Sequence, residues 1–317
     1  MRLRAIFIIA VFVLSFSALF FKLYDLQIKK SEIYSLKAQA QNINSGFFAP
    51  RRGIIYFTDK NGNPAPAAMN RLYPVLFAVP KQISDPVRTA EILTPIIGAE
   101  KEVLARKLSK PGDPYELLAS KLTDEQVAAF KAAAPEGVFL DREEFRFYPA
   151  ETLAAHVLGF VGPSGDDDKE RGRYGLEAYF ENDLAGKAGY EESGKLVGPV
   201  DGSDVALTID RTIQAQAEEI LTKTIEANKA TSGTVIVQEP KTGKILAFGN
   251  YPTFNPGSYA ESAVSVFLNP GVQSVYEPGS VFKIITMAAG IDSGKITPDT
   301  VYTDTGSLTL NGKTIRN

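Results

Sequence analysis

The chain has 317 residues, 44% hydrophobic and 22% charged, enough for about two domains beyond a short leader or anchor. A net charge of −3 leaves no basic footprint for nucleic acid, and the absence of cysteine excludes disulfide frameworks and thiolate metal sites. The single histidine excludes a His-rich metal cluster and disfavours a Ser-His-Asp triad, which leaves lysine as the activator of any nucleophilic serine.

Arg2 and Arg4 precede an uncharged run from Ala5 to Phe21, which with Leu23 approaches the length of a bilayer span. Positive charge ahead of the first apolar span places the N-terminus in the cytoplasm and the bulk of the chain outside the cell membrane. A cleaved signal peptide is the competing reading, with Ser15 and Ser17 as small cleavage-site residues, but the apolar run continues past both. The sequence therefore predicts a cytoplasmic stretch at 1–4, a single-pass anchor at 5–23 and a juxtamembrane helix and linker at 24–46. In the last of these Leu26, Ile33, Tyr34 and Leu36 recur among polar residues without Pro or Gly.

Residues 47–195 form a first region of short apolar stretches punctuated by Pro and Gly. Helical spacing covers Ser84 to Ser109 and Thr123 to Ala133, and Thr123 with Gln126 makes a capping box for the second. Asp166-Asp167-Asp168-Lys169-Glu170-Arg171 reads as a solvated loop. Residues 196–317 form a second region, with a strand at Val205 to Ile209 and a helix at Arg211 to Lys229. A hairpin of Thr234 to Gln238 and Lys244 to Phe248 then turns through Pro240-Lys241-Thr242-Gly243.

The chemistry concentrates at Glu277-Pro278-Gly279-Ser280-Val281-Phe282-Lys283, which runs into an apolar stretch ending at Ile291. A helix starting at Ser280 puts the Lys283 amine on the same face as the Ser280 hydroxyl. Because the helix is apolar on nearly all sides it is expected to be buried, and burial disfavours the ammonium form, making Lys283 a usable base for a weak nucleophile. The unpaired N–H groups of the first turn favour a developing oxyanion. A lysine that snorkels to the surface is the bland alternative.

This segment resembles the active-serine motif of penicillin-binding proteins, the D,D-transpeptidases that cross-link peptidoglycan, a superfamily that uses S-x-x-K. Upstream segments resemble the non-catalytic pedestal of the class B members in order and rough spacing. They are Pro50-Arg51-Arg52-Gly53-Ile54-Ile55 with Asp59 and Asn61-Gly62, Tyr148-Pro149, Ala155 to Gly162, and Gly175-Leu176-Glu177 with Leu184 and Gly186. Pro252, Phe254-Asn255-Pro256 and Asn269-Pro270 resemble the approach to the serine. Nothing between anchor and pedestal resembles the glycosyltransferase domain of the bifunctional class A. On the bare residues, Arg52, Gly53, His156 and Glu177 read as a salt-bridge partner, a turn glycine, a satisfied partly buried histidine and a helix-start acid.

The resemblance implies an α+β multidomain protein: an N-terminal transmembrane helix, an elongated mixed α/β pedestal at 47–195, and the N-terminal part of a penicillin-binding-protein/serine β-lactamase-like transpeptidase domain at 196–317. It implies Ser280 as nucleophile and Lys283 as its base, with no metal or cofactor. The partners it implies are peptidoglycan stem peptides and their lipid-linked precursor, β-lactams, and proteins of cell-wall elongation or division. Two further motifs of the family, Ser-x-Asn and a downstream Lys-Thr-Gly strand, are not found after Lys283. Lys241-Thr242-Gly243 lies upstream, between two strands, and reads as turn chemistry. The expectation is a fragment of a longer parent, inactive alone, with one flank of the serine helix uncovered. A membrane-anchored non-catalytic scaffold and a β-lactam sensor or β-lactamase are the alternatives.

Overall fold

The computed structural model describes residues 12, 15–17, 19–24, 49–110, 113–165, 170–192 and 195–316. Among the described residues no helix is long and apolar enough to cross a membrane. The expected segments 1–4, 5–23 and 24–46 lie wholly or largely outside the described residues, although 12, 15–17 and 19–24 are helical. The chain divides into two compact units, residues 1–272 and 273–317.

In the first unit, β1 (Ile55–Thr58) and β2 (Pro64–Ala78) form an antiparallel hairpin. Its turn is built by Asp59, whose carboxylate accepts the backbone N–H groups of Asn61 and Asn63, each at 2.8 Å. There follow α1 (Pro86–Ile97), α2 (Lys101–Leu108), β3 (Glu116–Ala119), α3 (Asp124–Ala133) and β4 (Val138–Phe147). The stretch expected to be helical from Ser84 to Ser109 is thus two helices. Asp85 caps the first by accepting the Arg88 N–H at 3.0 Å, and Gly98, at φ +70°, ends it with an N–H donated to Thr94. The apolar period runs on across this break, which is why spacing alone does not reveal it. The Thr123–Gln126 capping box is present in both directions. Leu93, Leu104, Leu108 and Phe130 of these helices bury against Leu76 and Val138 of the sheet.

Next come α4 (Ala155–Leu158), β5 (Val161–Pro163), β6 (Glu170–Gly172), α5 (Gly175–Tyr179), α6 (Glu181–Leu184) and the hairpin of β7 (Tyr190–Glu192) with β8 (Lys195–Val197). Glu170 and Arg171, expected in a loop, instead belong to β6, which pairs with β5. A three-residue strand with exposed charges carries no alternation to read. Asp166 to Lys169 lie outside the described residues.

β9 (Val205–Asp210) runs parallel to β1, so the sheet order is β3-β2-β1-β9 with β4 also paired to β2. A strand from the second sequence region therefore completes the sheet of the first. The Asp210 carboxylate accepts the N–H groups of Thr212 and Ile213 and starts α7 (Arg211–Asn228), which packs on the hairpin of β10 (Gly233–Gln238) and β11 (Ile245–Tyr251). Gln214, fully buried, pins the two together by accepting the Phe248 N–H at 2.6 Å and donating to its carbonyl at 2.9 Å. Lys241-Thr242-Gly243 occupies the hairpin turn, with Gly243 at φ +76° and the Thr242 hydroxyl bonded to Glu239.

A second core joins Ile55, Phe57, Leu158, Phe160 and Leu184 to Ile209, Phe254 and Phe267. Phe160 stacks on Tyr259 at 4.2 Å and meets Phe267 edge-on at 4.8 Å. Gly53, expected as a turn glycine, is a close-approach glycine instead: a Cβ there would lie 2.0 Å from the Ser203 carbonyl oxygen. Gly159 meets both demands, with φ +71° and a Cβ position 1.7 Å from the Tyr174 carbonyl. The second unit holds α8 (Lys283–Asp292), entered through a 3-10 turn at Gly279–Phe282, and the hairpin of β12 (Ser307–Leu310) with β13 (Lys313–Arg316).

Candidate active site

Gly279 adopts φ +57°, which turns the chain sharply just before Ser280. The Lys283 N–H donates to the Ser280 carbonyl, closing a 3-10 turn that passes directly into α8. Residues three apart eclipse in this geometry, so Ser280 and Lys283 stand on one face. No hydrogen bond joins their side chains among the described residues. The burial expected of this helix is absent. Lys283 is exposed, and so are Val281 at 64%, Ile284 at 72% and Met287 at 52%. A helix apolar on all sides needs a sheet or helix on each flank, and the elements of residues 273–317 do not provide them. Ile285, Ala288, Ala289 and Ile291 line an open apolar surface with Asp292 at its edge.

In the first unit the family-like segments converge on Glu177, which is fully buried. Its carboxylate accepts from Arg52 Nε at 2.7 Å and from Arg146 Nε at 2.6 Å, and Arg52 also donates to Glu181 at 2.6 Å. Arg146 further donates to the Gly53 carbonyl at 2.8 Å, and Burial holds the Tyr148 phenol well above its ordinary range. Arg52 is the salt-bridge partner its sequence context suggests, and Glu177 lies in the first turn of α5. Sequence reading misses Arg146 and Glu181. The available signal was parity: Arg146 shares the inward side of β4 with Val138 and Leu140, but the exposed Arg142 and Glu144 between them obscure it.

His156 donates Nε2–H to the Val266 carbonyl at 2.8 Å and meets the Phe254 ring edge-on at 5.2 Å. It ties α4 to the segment that leads away from β11. Burial pushes its imidazole below the ordinary value of 6.5, with the Val266 bond opposing. A depressed folded value means that protonation favours the unfolded chain. This stabilisation is complete above pH 6.5 and is lost as pH falls through the folded value. The drop in urea midpoint between about pH 7.5 and about pH 5 is therefore expected to shrink in His156→Gln. An equal drop in both proteins rules out this histidine as the source.

Comparison with known proteins now defines the class. Residues 48–197 match the penicillin-binding protein dimerisation domain, and residues 233–317 match the penicillin-binding protein transpeptidase domain. The chain belongs to the class B penicillin-binding proteins. It is 32% identical to stage V sporulation protein D of Bacillus subtilis, over 85% of this chain and 43% of that protein. It is 28% identical to the peptidoglycan D,D-transpeptidase MrdA of Escherichia coli, over 92% of this chain and 51% of that protein. The fold resembles a solved complex of PBP2 with MreC from Helicobacter pylori, with a TM-score of 0.64 and 22% identity, covering 85% of this chain and 57% of that one. The chain spans about half the length of the curated relatives it matches.

Proposed function

We propose that this chain is the front part of a membrane-anchored peptidoglycan D,D-transpeptidase, with residues 5–23 as the anchor and the bulk of the chain outside the cytoplasm. The observation that carries the reading is a Ser280–Lys283 pair on one face of a helix start, inside a region matching the transpeptidase domain. Ser280 Oγ attacks the penultimate carbonyl of a D-Ala-D-Ala stem peptide while Lys283 takes its proton. The C–N bond breaks, the proton passes to the departing D-Ala amine, and an acyl-enzyme ester remains. An amine from a neighbouring stem then attacks that ester, releases Ser280 and forms the cross-link. A β-lactam acylates Ser280 in the same way and stays. The Ser280 backbone N–H is one oxyanion donor, and a later strand of the complete protein supplies the other. The relative solved with MreC supports partners of the elongation type.

Labelling native membranes with a fluorescent penicillin and comparing wild type with Ser280→Ala tests this. A Ser280-dependent band well above 34.4 kDa is the expected result. A labelled band that persists in Ser280→Ala refutes the nucleophile. A stable unlabelled product near 34.4 kDa, with no larger band, favours an anchored scaffold instead.

A further inference from the structure

The turn from Tyr148 to Ala155 carries two non-glycine residues in the left-handed region, Glu151 at φ +50° and Ala154 at φ +55°. For a residue with a Cβ this conformation is strained, and it persists only where the surroundings hold it. Ala154 has no polar side chain with which to satisfy the turn from within, and it is the residue that starts α4. The group that holds it comes from 64 residues further along the chain, where Glu218 of α7 accepts the Ala154 N–H at 2.8 Å. The same carboxylate oxygen accepts Gln214 Nε2 at 2.7 Å, and Gln214 bonds both backbone groups of Phe248. Glu218 thus links the strained turn to α7 and to β11.

Burial pushes the Glu218 carboxyl above its ordinary range, and the bonds from Ala154 and Gln214 oppose that push. A half-buried carboxylate committed to one backbone N–H of a strained turn is a balanced arrangement. The strain drives the turn open, the charge-assisted bond holds it closed, and the two are of similar size. His156 carries the tie further. Through the Val266 carbonyl it holds the short turn in which the Val266 and Phe267 N–H groups donate to Ala263 and Val264. When α4 is closed, Leu158 and Phe267 are both buried. The two segments lie about 110 residues apart in the chain, one in the region matching the dimerisation domain and the other in the region matching the transpeptidase domain.

We infer that residues 151–158 and 263–267 form one latch between these two regions, opening and closing as a unit with Glu218 as its clamp. In the open form Ala154 relaxes to the right-handed region, α4 unwinds and His156 releases Val266. That form is the minor one, because it exposes Leu158. The latch stands apart from the transpeptidase reading, so its failure leaves Ser280 acylation untouched and the reverse also holds. Amide hydrogen–deuterium exchange of the 317-residue chain is the test, with Glu218→Ala, Glu218→Gln and Ala154→Gly made singly and in pairs. Glu218→Ala is expected to speed exchange about tenfold or more in both 152–158 and 263–267, while β1 and α1 stay as protected as in wild type. Ala154→Gly removes the left-handed penalty and is expected to slow exchange in 155–158 about fivefold, alone or combined with a Glu218 variant. Glu218→Gln keeps a neutral acceptor for the Ala154 N–H, so it falls between wild type and Glu218→Ala and takes the place of the alanine variant if that one does not fold. Unchanged exchange in 152–158 overturns the proposal, as does acceleration there without 263–267, faster exchange throughout the chain, or no slowing by Ala154→Gly.

Discussion

Glu177→Ala is expected to lower the unfolding free energy of the chain by about 3–5 kcal/mol, the range for breaking a buried ion pair by removing one partner. The size follows from what stays behind. Glu177 is fully buried, Arg146 is 4% exposed and Arg52 13% exposed, so solvent screens these pairs little. Truncation strands the Arg146 guanidinium with only neutral carbonyl oxygens and leaves Arg52 with the half-buried Glu181 as its counter-charge beside the residue 177 backbone carbonyl. Glu177→Gln keeps the shape but only one acceptor oxygen, and turns an amide NH2 toward one of the two arginines; it is expected to cost less than Glu177→Ala, which separates loss of charge from loss of shape. Replacing Arg52, Arg146 and Glu177 together with apolar residues is expected to cost less than Glu177→Ala alone, since the charge then left without its partner is Glu181, which is partly exposed and still accepts the Gly172 N–H. Urea unfolding decides the matter. A Glu177→Ala loss below about 1 kcal/mol would show the network to be hydrated and of little consequence.

That network also marks how far local sequence reasoning reaches. The capping box at Thr123, the helix after Asp210 and the β10–β11 hairpin are readable because each is specified within a few residues of itself. The ion network is assembled from Arg52, Arg146 and Glu177, which are 94 and 31 residues apart along the chain, and no local period reports such a meeting. The same holds for β9, whose alternation identifies a strand but says nothing about its pairing with β1. At the candidate site the pattern reverses. The spacing from Ser280 to Lys283 is local, and the structure places both on one turn. Burial of that turn is a property of whatever packs on α8, so it could not be read from α8 itself. Gly279 and Pro278 announce the turn; no residue announces its cover.

Lys283→Arg in the complete protein is expected to slow acylation by penicillin about a hundred- to ten-thousand-fold, the range for removing a general base. Arginine preserves the positive charge and much of the reach, so a lysine that only attracts an anionic substrate or fills space would tolerate it. A lysine that must accept the Ser280 proton would not, because guanidinium does not deprotonate in proteins. Lys283→Ala should be impaired to a similar degree, and a small amine added to the Ala variant should restore part of the rate. Acylation followed by stopped-flow fluorescence gives the comparison directly, and Lys283→Arg acylating within about threefold of wild type would remove Lys283 from the proton path. The exposure of α8 adds a corollary. With Ile284, Ile285 and Met287 facing solvent, the 317-residue chain leaves its serine and lysine exposed, and no dry cleft strengthens the oxyanion contacts. Its labelling by penicillin should therefore match that of its own Ser280→Ala variant, and the Ser280-dependent rate should appear only when the strands that flank α8 are part of the same chain.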